Sequence, residues 1–321
     1  MSRARRKSST VALALLGALA FTGIATPASG SLPRRAALPA PGSPSQVEAL
    51  VAASSKIEVL PSPLVPALAV AGTDNTASYY PATSHGCAGT SRCVFGNASS
   101  KKTVVLFGDS HAAMWLPPLV YDANHLGFRV VLLWFAGCPA ADLTVWNAGQ
   151  HGINPGCDAW RSQSITDIKS LAPSLVLLSD RTTAVLGATG KVIPGAAWQA
   201  GMKQTISAFL ASKLRVAVIG DITALTNQMP ECLAAFPSKI QNCSSPNPNR
   251  GFKTHVADEK AAAKAENVTY INPQGWLCTK KCSPVVGNMV VYCDNLHASA
   301  TYAEYLSLLF EDAIKPLLPS G

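Results

Sequence analysis

Two short stretches of this sequence carry the residue types of nucleophilic acyl chemistry. Gly108-Asp109-Ser110-His111 directly follows an apolar run. A serine between a strand and a helix has free backbone N–H groups and a helix dipole beside it, which suits an oxyanion. Asp294-Asn295-Leu296-His297 ends 187 residues after Ser110. A serine hydroxyl is a weak nucleophile until a base accepts its proton, and histidine titrates in the useful range. An aspartate three residues before the histidine can hold one ring nitrogen while the other faces serine. Each stretch also has a plainer reading: Ser110 as a helix N-cap, Asp294 as a capping acid, His297 as a surface histidine. Their combination selects Ser110 as nucleophile, His297 as base and Asp294 as the acid that orients it.

Other candidates are weaker. His111 is adjacent to Ser110, but neighbouring residues at a helix start point in different directions, so it reads as a packing or substrate-side residue. His85, His125, His151 and His255 have no partner in their local sequence. Cys278, Cys282, Cys293 and His297 have the ligand types of a zinc site, but an exported chain favours disulfides, and zinc would take His297 from Ser110. No metal site is therefore assigned.

The elements that must position Ser110 and His297 follow from hydropathy. Short β-branched and apolar runs at Thr103 to Phe107, Arg129 to Trp134, Ser174 to Leu178, Arg215 to Ile219 and Val268 to Ile271 read as strands. Helical patterns lie between them at Ala112 to Leu126, Asp158 to Leu171, Trp198 to Ser212 and Lys253 to Glu266. A last one spans Ala300 to Ile314. Pro117 and Pro118 must kink or delay the first. This alternation implies a mostly parallel sheet covered by helices on both faces. Working residues then belong in the loops after Phe107, Trp134, Leu178 and Ile219.

The N-terminus reads as an export signal over residues 1–30: basic residues, the apolar stretch Val11 to Ile24, then Thr26-Pro27-Ala28. The stretch is short for a spanning helix, so an uncleaved anchor is the lesser alternative and a secreted or extracytoplasmic location the expectation. Residues 31–66 are Pro-, Ala- and Ser-rich and read as a tether, with one short helix around Gln46 to Ser55; a catalytic domain follows over residues 67–321. The net charge of +8 includes four positives in the first seven residues, and no basic tract interleaved with aromatics suggests nucleic acid. Nine cysteines in an exported chain point to disulfides. Proximity pairs Cys87 with Cys93, Cys138 with Cys157, Cys232 with Cys243 and Cys278 with Cys282, leaving Cys293 as a free thiol.

The two site motifs resemble the first and last signature blocks of SGNH (GDSL-type) hydrolases. The likeness is nearer to one branch, the extracytoplasmic domain fused to bacterial membrane O-acyltransferases. Leu60–Pro66, Tyr80–Cys87, Ala136–Pro139, Cys157–Trp160, Pro230–Leu233, Trp276–Cys278 and Val291–Asp294 share that branch's look, so the resemblance spans roughly residues 60 to 315. It implies a flavodoxin-like three-layer α/β/α sandwich without a cofactor. The implied activity is that of a serine esterase or O-acyltransferase acting on short acyl groups, acetyl above all, of cell-envelope glycans. A separate membrane acyltransferase as partner follows from the same resemblance. A general secreted lipase or esterase, and a non-catalytic glycan-binding module, are the alternatives. The family's oxyanion donors are the serine amide, a glycine after the second strand and an asparagine after the third. Ser110 and Gly137 match the first two. The third place holds Asp180 and Arg181. A charged Asp180 aimed at an oxyanion would oppose catalysis, the Arg181 guanidinium would supply the missing donor, and the simpler reading is a local ion pair between them.

Overall fold

The computed structural model describes residues 40–89, 93–147 and 149–319; the expected signal peptide and the start of the tether lie outside the described residues. Six strands form one sheet: β1 (Val94–Gly96), β2 (Thr103–Gly108), β3 (Arg129–Trp134), β4 (Leu175–Ser179), β5 (Val216–Ile219) and β6 (Thr269–Ile271). Their order is β1-β3-β2-β4-β5-β6. All neighbours pair in parallel except β1, which runs antiparallel along β3.

The central strands read as unbroken apolar runs because both of their faces are covered. Val104 and Leu106 of β2, Val130 and Leu132 of β3, and Leu175 and Leu177 of β4 point into one core. Their alternates Val105, Phe107, Val131, Leu133, Val176 and Leu178 point into the other. The first core is closed by α1 (Pro44–Ser54), α3 (Leu116–Leu126) and the C-terminal pair α7 (Ala300–Tyr305) and α8 (Ser307–Ile314), which contribute Val47, Val51, Leu119, Tyr302 and Phe310. The second is closed by α4 (Pro155–Leu171), α5 (Gly195–Leu210) and α6 (Val256–Ala265), with Ile168, Trp198, Phe209 and Ala262. Each fully buried side chain of this size contributes about 1.5–3 kcal/mol of transfer free energy. This is the three-layer α/β/α sandwich that the resemblance implies.

Several elements differ from the sequence expectation. Strand β1 lies outside the runs read as strands; it is only three residues long and pairs Val94 with Val131, too short for a periodic signal. The first helix divides into α2 (Ser110–Ala113) and α3, whose first turn holds Pro117 and Pro118, where proline's missing N–H does no harm. The last helix divides at Leu306. Residues 44–66, expected as a tether, pack on the domain: Val47 and Val51 are buried, the Leu60 amide donates to the Pro237 carbonyl, and the Val65 amide to that of Asn288.

Disulfides join Cys87–Cys93, Cys138–Cys157, Cys232–Cys243 and Cys278–Cys282, and Cys293 is a buried free thiol. Among the described residues no helix is long and apolar enough to cross a membrane.

Candidate active site

Gly108 ends β2 and is the reason Ser110 can stand where it does. A Cβ at Gly108 would collide with the Ser179 carbonyl oxygen of the neighbouring strand β4, and its φ of +154° is one that side chains rarely adopt. The next residue, Asp109, is the N-cap of α2: its Oδ1 accepts the His111 amide at 2.8 Å. The same carboxylate accepts the Arg181 amide at 3.0 and 3.1 Å, tying the serine turn to the loop after β4. Ser110 follows as the first residue of α2.

The partner of Ser110 comes from the turn before α7. His297 Nε2 lies 2.8 Å from Ser110 Oγ, and its Nδ1 lies 2.7 Å from Asp294 Oδ2. The other Asp294 oxygen accepts the amides of Leu296 and His297, each at 2.7 Å. Burial opposes ionisation of Asp294, but the His297 hydrogen bond and charge and the two amides outweigh it, and the carboxyl is held below its ordinary range. The turn itself is closed by the Cys293 amide donating to the His297 carbonyl, and Ser299 caps α7 by accepting the Tyr302 amide at 3.1 Å. The structure thus brings Ser110, His297 and Asp294 into one hydrogen-bonded line.

His297 is further located by a segment with no site role in the sequence reading. Buried Asp74 accepts the Thr301 amide at 3.1 Å, its carbonyl accepts the Ala300 amide, and Thr76 donates to the Ala113 carbonyl at 2.7 Å. This segment also walls a cavity of about 280 Å³ beside Ser110 and His297, with Asn75, Ala77, Met114, Trp134 and Cys293 in its lining. Nothing in the sequence links residues 72–83 to the C-terminal turn; only folding does.

The expected oxyanion residues are placed as follows. Gly137 lies in the exposed turn after β3 with φ +68°, and the Cys138 amide closes that turn onto the Phe135 carbonyl. Asp180 and Arg181 form no ion pair among the described residues. Asp180 is fully buried and turned toward the β3 loop, where it accepts the Ala140 amide at 2.7 Å and the Ala141 amide at 3.3 Å. Burial, and then the Asp109 charge, push its pKa up to about 8 against those two amides and Arg161. The simpler sequence reading of a local pair is therefore corrected: the amides of Ala140 and Ala141 hold the Asp180 carboxylate on the β3 side. The Arg181 amide is spent on Asp109, and its guanidinium Nε is buried without a partner.

The remaining histidines separate cleanly. His111 is 1% exposed and bonded to Asp221, Nδ1 to Oδ1, at 2.6 Å, and its ring lies 4.7 Å from that of His297. Asp221 escaped the sequence reading, although it stands just past β5, in one of the loops singled out there. His125 pairs with Glu311 at 2.6 Å. His255 does have a local partner, Asp258, at 3.1 Å, and it stacks on Trp198; neither joins the site. His85 and His151 are exposed. The zinc reading loses its ligands, since Cys278 and Cys282 are joined to each other and both ring nitrogens of His297 are engaged.

Comparison with known proteins places the chain in a family. The family model described as an SGNH domain (fused to AT3 domains) matches residues 73–312. The structure of the periplasmic domain of a lipopolysaccharide acetyltransferase from Salmonella ser. Paratyphi A is similar at 16% identity with a TM-score of 0.52, over 68% of this chain and 84% of that one. A GDSL-like lipase from Bacteroides thetaiotaomicron is similar at 14% identity with a TM-score of 0.43, over 76% of this chain and 99% of that one. No curated protein matches the sequence.

Proposed function

Because the chain belongs to the SGNH-domain family, whose chemistry is acyl-ester hydrolysis or acyl transfer, we propose that it is an extracytoplasmic serine esterase or O-acyltransferase. Its substrates in this reading are short-chain acyl esters, acetyl above all, of cell-envelope glycans. The observation that carries the reading is the line Asp294–His297–Ser110, at 2.7 and 2.8 Å, opening on the cavity. His297 Nε2 accepts the Ser110 proton as Oγ attacks the acyl carbonyl; Asp294 holds the ring and stabilises the imidazolium. The amides of Ser110 and Gly137 are assigned to the developing oxyanion, with the Arg181 guanidinium as third donor in place of an asparagine. Collapse expels the alkoxide, which takes the proton from His297. The acyl group on Ser110 then passes to water or to a sugar hydroxyl by the reverse sequence.

The glycan substrate and a membrane acyltransferase that supplies the acyl group rest on the resemblance to domains fused to membrane O-acyltransferases; the matching family is described as fused to AT3 domains. Location outside the cytoplasm is supported by the four disulfides, which persist in oxidising compartments. The test is release of p-nitrophenol from short-chain esters, with and without an oligosaccharide acceptor. Activity in wild type that falls by about 10³-fold or more in Ser110→Ala supports the reading, and acceptor-dependent product separates transfer from hydrolysis. Equal rates in both proteins would leave a glycan-binding module.

A further inference from the structure

Behind the triad histidine stands a second histidine–aspartate pair that the chemistry above does not use. His111 and Asp221 are each 1% exposed and meet at 2.6 Å. Asp221 is saturated with donors: its Oδ1 also accepts the Ile222 amide at 2.7 Å, and its Oδ2 accepts the amide and hydroxyl of Thr182 at 2.7 and 2.9 Å. His111 is thereby held by one nitrogen to the end of β5, while its ring packs on that of His297, centroids 4.7 Å apart and planes at 57°. Its other nitrogen, Nε2, is buried without a partner.

The charges around His111 come from every element that meets it: Asp221 after β5, Asp109 before α2, Arg181 after β4, and His297 with Asp294 before α7. Burial works against a charged His111, but the charge and hydrogen bond of Asp221, helped by Asp109 and opposed by Arg181, outweigh it and raise its pKa. For Asp221, burial is likewise outweighed by His111 and Thr182, and its pKa is lowered. Each partner thus favours the charged form of the other, and the His111 ring of the pair lies against that of His297.

We propose that the Asp221–His111 pair is a positioning device for the triad base: it seats the His297 imidazole and, through a fixed positive charge on the ring it presents, opposes a second positive charge there. Ser110 can give its proton only to a His297 ring held in place with Nε2 free to accept it. The inference rests on the reading of His297 as the base of Ser110, but its test does not depend on turnover.

The test follows the pH titration of the His297 ring by two-dimensional NMR in wild type, His111→Gln, Asp221→Asn and the double variant, the resonance being assigned with His297→Gln. The ester-hydrolysis rate is recorded against pH in parallel. Removing the nearby cation moves the His297 midpoint up by about one pH unit or more in His111→Gln, where Asp221 is left charged. The shift is smaller in Asp221→Asn and in the double variant, and the acid limb of the rate moves with it. The double variant keeps an amide–amide hydrogen bond, so it gives the answer should His111→Gln fail to fold. An unchanged or lowered midpoint in the folded variants overturns the inference. An inactive wild type whose His297 titration still shifts would instead count against the catalytic reading alone.

Discussion

At the scale of single residues, the site is held by groups whose neighbours leave no room for substitution. Gly108 is the clearest case, because any Cβ there meets the backbone of β4 rather than a flexible side-chain end. Gly108→Ala is expected to cost about 2 kcal/mol or more in urea unfolding, as overpacking against backbone does, and to lower the esterase rate because Ser110 is two residues on. A stability within about 0.5 kcal/mol of wild type would show that β2 and β4 can part without loss. Ser110, Asp294 and His297 were legible in the sequence because chemistry restricts their types and because both motifs lie at element ends. Asp221 was not legible: its partner is 110 residues away, and an aspartate after a strand has many ordinary uses. The fate of Asp180 was equally hidden, since only the folded β3 loop offers it the amides of Ala140 and Ala141.

At the scale of elements, the buried strands announced themselves through runs of Val and Leu, and the helices between them through length and periodicity. The three-residue β1 and the division of two helices did not, because they depend on pairing and capping rather than on pattern. The loop after β3 shows how an element is fixed from outside the sheet. The Cys138–Cys157 disulfide ties it to α4 across a separation of 19 residues, and buried Arg161 donates to the Pro139 and Leu143 carbonyls from the same helix. Chain-entropy arguments give this crosslink about 3 kcal/mol, against about 2 for the four-residue Cys278–Cys282. Replacing Cys138 and Cys157 together by serine is therefore expected to lower unfolding stability by about 2–4 kcal/mol. It should also lower kcat more than it raises KM, because Gly137 adjoins Cys138. An unaltered kcat would argue that the Gly137 turn has no part in oxyanion binding.

At the scale of the whole molecule, acidic groups are buried where α3 meets the C-terminal pair α7 and α8. Asp122 on α3 is fully buried with neither oxygen hydrogen-bonded; burial, then the charges of Glu311, Glu304 and Asp312, push its pKa up to about 9. Burial pushes Glu304 up to about 7. Both raised groups keep protons in the folded state that the unfolded chain has released above about pH 4. The unfolded state then binds fewer protons, so stability falls as pH rises, from about 4 to about 7 through Glu304 and on to about 9 through Asp122; for buried Asp122 the slope is up to about 1.4 kcal/mol per pH unit, and for half-buried Glu304 it is smaller because water screens the charge. Asp294 and Asp221, with lowered values, act oppositely and withdraw their stabilisation only at more acidic pH. Asp122→Asn should flatten the alkaline decline, matching wild type near pH 4 and exceeding it by more than about 1 kcal/mol at pH 9 in denaturant titrations. Parallel curves for the two proteins would contradict a buried, neutral Asp122.

The fold's main achievement is to bring two loops 187 residues apart to within 2.8 Å of each other, and the chemistry claimed for that meeting is covalent. The most direct measurement is mass spectrometry of protein mixed briefly with p-nitrophenyl acetate, quenched in acid and digested. One acetyl group should appear on the peptide containing Ser110 and be absent from Ser110→Ala. No acetylated peptide at a time when p-nitrophenol is being released, or the same label in Ser110→Ala, would contradict Ser110 as the acyl-bearing nucleophile.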